Sequence, residues 1–128
     1  MSGRILGMVQ KMPDDPTEFA WGCADEEGGS FKYIPWSKWD LDLAEKCVLA
    51  INEFKIDFSA VDIIQDAEGK NFILELNSAP SLSTYWCEVF AQGFDYVIEH
   101  GKEVIPVHSD KDWKSYIHPS LFNGAKVE

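Results

Sequence analysis

The chain has 128 residues, 45% hydrophobic and 13% aromatic, enough to bury about two-thirds of its unfolded surface in one domain and too apolar for a disordered segment. Twenty-two acidic residues against eleven basic ones give a net charge of -11, and Arg4 is the only arginine. That balance excludes coating of nucleic acid or of an anionic membrane, because both need clustered cations.

Arg4 to Lys11 reads as a strand, followed by a loop at Met12-Pro13-Asp14-Asp15-Pro16. Phe19 to Cys23 and Phe31 to Ile34 are short strand candidates, separated by the turn-forming stretch Ala24 to Ser30. The segment from Asp40 to Phe54 has the spacing of a helix, with Ala44, Cys47, Val48, Ile51 and Phe54 on one face and Asp40 or Ser37 as its cap. Phe58 to Gln65 and Asn71 to Asn77 read as strands joined at Asp66-Ala67-Glu68-Gly69-Lys70, a hairpin. A second helix follows Ser83, with Trp86, Val89, Phe90, Phe94, Val97 and Ile98 as its stripe and Gly101 as its stop. No element is placed in residues 102–128. The order implies an α+β domain over residues 1–101, an antiparallel sheet with two packed helices, followed by a tail at 102–128.

Met1 to Lys11 shows no signal-peptide pattern, and no apolar run approaches a membrane span. Cys23, Cys47 and Cys87 are odd in number, with no CxxC pair, so reduced thiols and a cytoplasmic setting are expected.

The hairpin carries the most pointed chemistry. Alternation puts Glu75 and Asn77 on one face of their strand, and closure at Ala67 to Lys70 sets Asp62 roughly opposite Glu75. Opposed carboxylates on a strand pair repel, and among Val61, Ile63, Leu74 and Leu76 they call for a cation or a proton. With the Asn77 amide oxygen they make three hard oxygen donors, a set that suits Mg²⁺ or Mn²⁺. By periodicity alone, the plainer alternative is that these acids lie on the solvated face of a two-layer sheet.

The run Val61-Asp62-Ile63-Ile64, then Phe72-Ile73-Leu74-Glu75-Leu76-Asn77-Ser78-Ala79-Pro80-Ser81-Leu82, resembles the metal-binding hairpin of the ATP-grasp superfamily. It is most similar to that of RimK-type glutamate ligases, D-alanine–D-alanine ligases and phage-borne relatives. There an Asp, a Glu thirteen residues later and an Asn two further on hold two Mg²⁺ ions that bridge the ATP phosphates, the spacing of Asp62, Glu75 and Asn77 here. Glu18-Phe19 and Gly28-Gly29-Ser30 extend the likeness, which covers about residues 3 to 100. The resemblance implies the C-terminal, metal-binding half of an ATP-grasp fold and a chemistry in which ATP activates a carboxylate as an acyl phosphate for attack by an amine or thiol. It further implies Asp62, Glu75 and Asn77 as ligands of Mg²⁺ or Mn²⁺, Leu74 as part of the adenine floor, and Lys11 beside phosphate.

The chain departs from that pattern where the family is cationic. Ala20 and Gly22 stand where RimK-type enzymes carry an Arg and an Asn, and Glu27 where they carry a basic residue. Ala60 replaces an Arg of the D-alanine ligases, and Ser81 a glycine. The N-terminal ATP-grasp lobe is absent from these residues. The leading expectation is therefore half of a carboxylate–amine ligase, completed by a lobe on another chain or by a second copy. The alternatives are a catalytically inactive ATP-grasp-derived interaction module and an α+β domain whose hairpin is similar by chance.

Other residues carry plainer readings. His108, Asp110, Asp112 and His118 could be drawn as a metal cluster but fit a solvated tail better, and Cys87 fits a semi-buried helix cysteine better than a nucleophile. Trp21, Trp36 and Trp39 read as packing, with a docking surface formed by Trp36 and Trp39, which flank a helix start, as the alternative. Asp25-Glu26-Glu27 reads as a solvated loop tip.

Overall fold

A computed structural model describes residues 1–13, 15, 30–102 and 116–122, with Trp36 and Phe122 described by their backbone alone. The expected strand at Phe19 to Cys23, the loop at Ala24 to Gly29, and Trp21, Cys23, His108, Asp110 and Asp112 lie outside these residues. The described elements are strands β1 (Val9–Met12) and β2 (Ser30–Tyr33), helix α1 (Leu41–Glu53), strands β3 (Ala60–Gln65) and β4 (Asn71–Asn77), and helix α2 (Thr84–His100). Short 3₁₀ turns lie at Trp36–Lys38 and Pro119–Phe122. The fold class is α+β, but the strands form two separate antiparallel pairs, β1 with β2 and β3 with β4, rather than one sheet. No helix among the described residues is long and apolar enough to cross a membrane.

The residues cluster into two compact units, Gly7–Trp39 and Met1–Leu6 with Asp40–Glu128. In the first, Val9 pairs with Tyr33 and Met12 with Ser30. The Trp39 indole is buried and donates from Nε1 to the Ile34 carbonyl at 2.9 Å, so Trp39 packs and offers no docking surface.

In the second unit the expected strand from Arg4 to Lys11 does not form as one piece. Ile5 makes a lone parallel bridge with Ile117, its N–H donating to the Tyr116 carbonyl at 2.7 Å and its carbonyl accepting from His118 N–H at 2.9 Å. Residues 116–122 are thus built into this unit: Tyr116, Ile117, His118 and Ser120 are buried. His118 is a packed core side chain and not part of a solvated tail.

Helix α1 begins where its cap dictates. Asp40 has extended backbone, and its Oδ1 accepts from Asp42 N–H at 3.0 Å and Leu43 N–H at 3.2 Å. Ala44, Cys47, Val48 and Ile51 are buried along its inner face, while Phe54 is the C-cap and lies exposed. The other Asp40 oxygen accepts from Asn71 Nδ2 at 3.0 Å, and Asn71 Oδ1 accepts from Gln65 Nε2 at 3.0 Å, so one carboxylate fixes the helix start against the hairpin base. Asp40→Ala is expected to cost about 1–2 kcal/mol in urea unfolding, combining the lost cap with the lost amide bond. Asp40→Asn, which keeps an oxygen acceptor, is expected to recover most of it.

Helix α2 packs Val89 and Gly93 against Met1 and Leu6, with Trp86, Phe90 and Val97 around them. Gly93 belongs to the packed stripe because a Cβ there would meet Leu6 Cδ2 at 3.2 Å. Phe94 and Ile98, expected on the inner stripe, are exposed instead.

Candidate functional site

The hairpin turn is fully determined by local chemistry. The Asp66 carboxylate accepts from Glu68 N–H at 3.1 Å and Lys70 N–H at 2.7 Å, the Asp66 N–H donates to the Lys70 carbonyl at 3.0 Å, and Gly69 N–H donates to the Asp66 carbonyl at 3.0 Å. Gly69 supplies the left-handed backbone, φ +82°, that closes it. From the turn the ladder runs Gln65 opposite Asn71, Ile64 opposite Phe72 and Ile63 opposite Ile73.

Continued at that register, Asp62 would face Leu74. Instead the register shifts by one residue, and Asp62 lies opposite Glu75, Val61 opposite Leu76 and Ala60 opposite Asn77. Leu74 is the extra residue of a β-bulge, a device that re-aims the side chains beyond it. Alternation then gives the hairpin two distinct faces. Val61, Ile63, Ile73 and Leu76 share one and are half-buried; Asp62, Ile64, Phe72 and Glu75 share the other and are exposed.

The exposed face therefore holds Asp62 and Glu75 as a directly opposed pair, a position in which Cβ atoms lie ~5 Å apart and like charges repel. Asn77 stands beside them, half-buried, and its Oδ1 already accepts from Ala79 N–H at 2.9 Å. Both carboxylates lie exposed, and among the described residues no hydrogen bond or ion pair engages them, while the amide oxygen is partly committed to the turn that follows β4. Such a pair fits Mg²⁺ or Mn²⁺, which commonly take one or two protein carboxylates and complete their shells with water and phosphate oxygens. Among the described residues no group of three His, Cys, Asp or Glu side chains gathers to hold a metal ion, so a cation here relies on the opposed pair.

The remaining expected residues fall as follows. Leu74, at the bulge, is 61% exposed. Lys11 is half-buried on β1, opposite Phe31, in the unit Gly7–Trp39. Glu18, Phe19, Ala20, Gly22, Glu27 and Gly28 lie outside the described residues. One cation the sequence reading passed over is Lys70, whose Nζ sits 5.0 Å from the centre of the Phe72 ring, a favourable cation–π placement. Cys87 is exposed in the first turn of α2, its Sγ 3.9 Å from the Leu82 carbonyl oxygen. Cys47 is buried in α1, and burial pushes its thiol up to about 11, which leaves it protonated and inert.

Compared with known proteins, the chain matches no family model, no curated protein and no solved structure. The likeness to ATP-grasp hairpins rests on the residues themselves.

Proposed function

We propose that the exposed face of the β3–β4 hairpin binds a divalent cation, Mg²⁺ or Mn²⁺, between Asp62 and Glu75, and through it the phosphates of ATP. The observation that carries this reading is the bulge-set register that opposes the two carboxylates on an open face. Asn77 would add a third oxygen by turning its free lone pair to the ion. Bound there, the cation would neutralise phosphate charge during formation of an acyl phosphate. The chain's own residues would hold it in place, with exposed Leu74 and Phe72 offering apolar surface for a base. In this reading the protein is the metal-binding half of an ATP-grasp-like carboxylate–amine ligase, working in the cytoplasm with a second lobe that supplies the missing cations. Neither nucleic acid nor a membrane surface is its partner.

The test uses the cost of the pair itself. Without metal, Glu75→Gln is expected to stabilise the chain by about 0.2–1 kcal/mol, because it removes cross-strand repulsion. With millimolar Mg²⁺ or Mn²⁺ the order reverses: the wild-type melting temperature rises by ligand linkage and that of Glu75→Gln or Asp62→Asn does not. Calorimetric titration with Mn²⁺, with and without ATP, should show binding that either substitution weakens at least tenfold. Binding indifferent to both substitutions removes the reading.

A second reading, an inactive ATP-grasp-derived interaction module, is favoured by the Asn77 oxygen's commitment to Ala79. A stoichiometric partner retained by Asp62→Ala, with no metal response in melting, would select it.

A further inference from the structure

Helix α2 is more apolar than its packing requires. Its buried side is accounted for by Val89 and Gly93 with half-buried Trp86, Phe90 and Val97. A second apolar stripe, Cys87, Ala91, Phe94 and Ile98, recurs at four, three and four residues and so shares one face over about 16 Å. All four are exposed, Phe94 by 45% and Ile98 by 79%. Phe94 is not loose: its ring lies 5.3 Å from that of Phe58, which is itself edge-on to Phe90 at 4.7 Å.

One residue further along at three of these positions stand Glu88, Asp95 and Glu99, all exposed, so a row of carboxylates borders the stripe. The helix has no Lys or Arg. Lys102, just beyond its end, is paired with Asp57.

We infer that this stripe is a docking surface for a cationic amphipathic helix of another protein, its apolar seam laid on Cys87, Ala91, Phe94 and Ile98 and its Lys or Arg flank against Glu88, Asp95 and Glu99. Spacing of this kind is how helix-in-groove recognition is read, and charge complementarity fixes the partner's sign. A second copy would bring three carboxylates against three more, and an anionic membrane would be repelled. The inference does not depend on the hairpin cation.

Binding is tested with the full chain and three fluorescein-labelled 18-residue peptides, read by anisotropy. One has a leucine seam flanked by lysines, one the same seam flanked by glutamates, and one the lysine–leucine composition scrambled. The lysine-flanked peptide is expected to bind, at least tenfold more tightly than either control and more weakly as salt rises. Phe94→Ser with Ile98→Ser should reduce its affinity at least tenfold. Ile98→Lys, at a position with almost no packing, should do the same with an unchanged melting temperature, which keeps the test decisive if the double variant unfolds. Glu88→Gln, Asp95→Asn and Glu99→Gln together should remove most of the salt dependence. Equal binding of a control peptide, no binding of the lysine-flanked one, or affinity unchanged by Ile98→Lys overturns the inference. So does sedimentation showing a dimer that Ile98→Lys dissolves, which assigns the stripe to a second copy.

Discussion

Replacing Ile117 by alanine is expected to lower the unfolding free energy by about 3 kcal/mol and the melting temperature by about 10 °C. Ile117 is wholly buried and belongs to the segment whose neighbours exchange backbone hydrogen bonds with Ile5. Removing three carbons there leaves a void lined by atoms that lose their dispersion contacts. Tyr116, on the same segment, packs with Ala44 and Val48 of α1, so the void opens beside the surface where α1 is anchored. The matched control is Ile98→Ala, the same chemical change on the exposed face of α2, expected to shift stability by less than about 0.5 kcal/mol. Urea unfolding of both variants measures the difference. Similar small losses in the two would mean that 116–122 does not close this core.

That contrast also explains which parts of the molecule are legible in its sequence. Helix α1 is, because cap and stripe are local: Asp40 precedes an apolar pattern that repeats at three and four residues, and the structure buries four of its five members. Phe54 fits the pattern but falls where the helix ends, so its side chain has no inner face to join. In α2 the apolar positions exceed what one side can bury, and hydropathy gives no means of choosing between Val97, half-buried, and Ile98, exposed. Gly93 is invisible to hydropathy for the opposite reason, since it contributes space rather than surface, and the approach of Met1 and Leu6 reveals it. The pairing of Ile5 with Ile117 joins opposite ends of the sequence and leaves no local mark. Periodicity also reads Arg4 to Lys11 as one strand, whereas the chain spends Ile5 on that distant bridge and begins β1 at Val9.

The candidate site was legible in a particular way. Turn chemistry at Asp66 and Gly69 fixes the hairpin and its first three pairs. Counted from that turn, the register places Leu74 across from Asp62. Nothing in the residue types announces the bulge that moves Glu75 into that place. Alternation and closure of the turn bring Asp62 only roughly opposite Glu75, and the bulge makes the opposition direct: the thirteen residues from Asp62 to Glu75 are one more than the turn-defined register allows. Engagement of the Asn77 oxygen by Ala79 N–H, in contrast, depends on how the chain leaves β4 and is read only from the structure.

Acidification is expected to destabilise this protein from about pH 6.5 downward through His118. The ring is 2% exposed. Its Nδ1 accepts from Ser120 N–H at 3.3 Å and lies 2.8 Å from Ser120 Oγ, so the proton of the neutral ring belongs on Nε2. Adding a second proton would cost Nδ1 its bond from Ser120 N–H and leave only the Ser120 hydroxyl oxygen to accept from it. Burial, then the nearby amino terminus, then Arg4 hold its pKa down at about 4. The unfolded chain takes up that proton near pH 6.5, so between those values the unfolded state binds more protons than the folded one. Stability from the neutral ring is therefore complete above pH 6.5 and is lost as pH falls towards 4, on the order of 2 kcal/mol by pH 5. The Met1 amine, lowered to about 6 by burial against an opposing pull from Asp57, changes stability in the same direction at higher pH and remains titratable when His118 is replaced. His118→Asn keeps an acceptor for Ser120 N–H and does not titrate. Urea midpoints measured from pH 8 to pH 4.5 should fall steeply in the wild type below 6.5 and much less in the variant. Parallel curves for the two proteins would assign the acid sensitivity to another group.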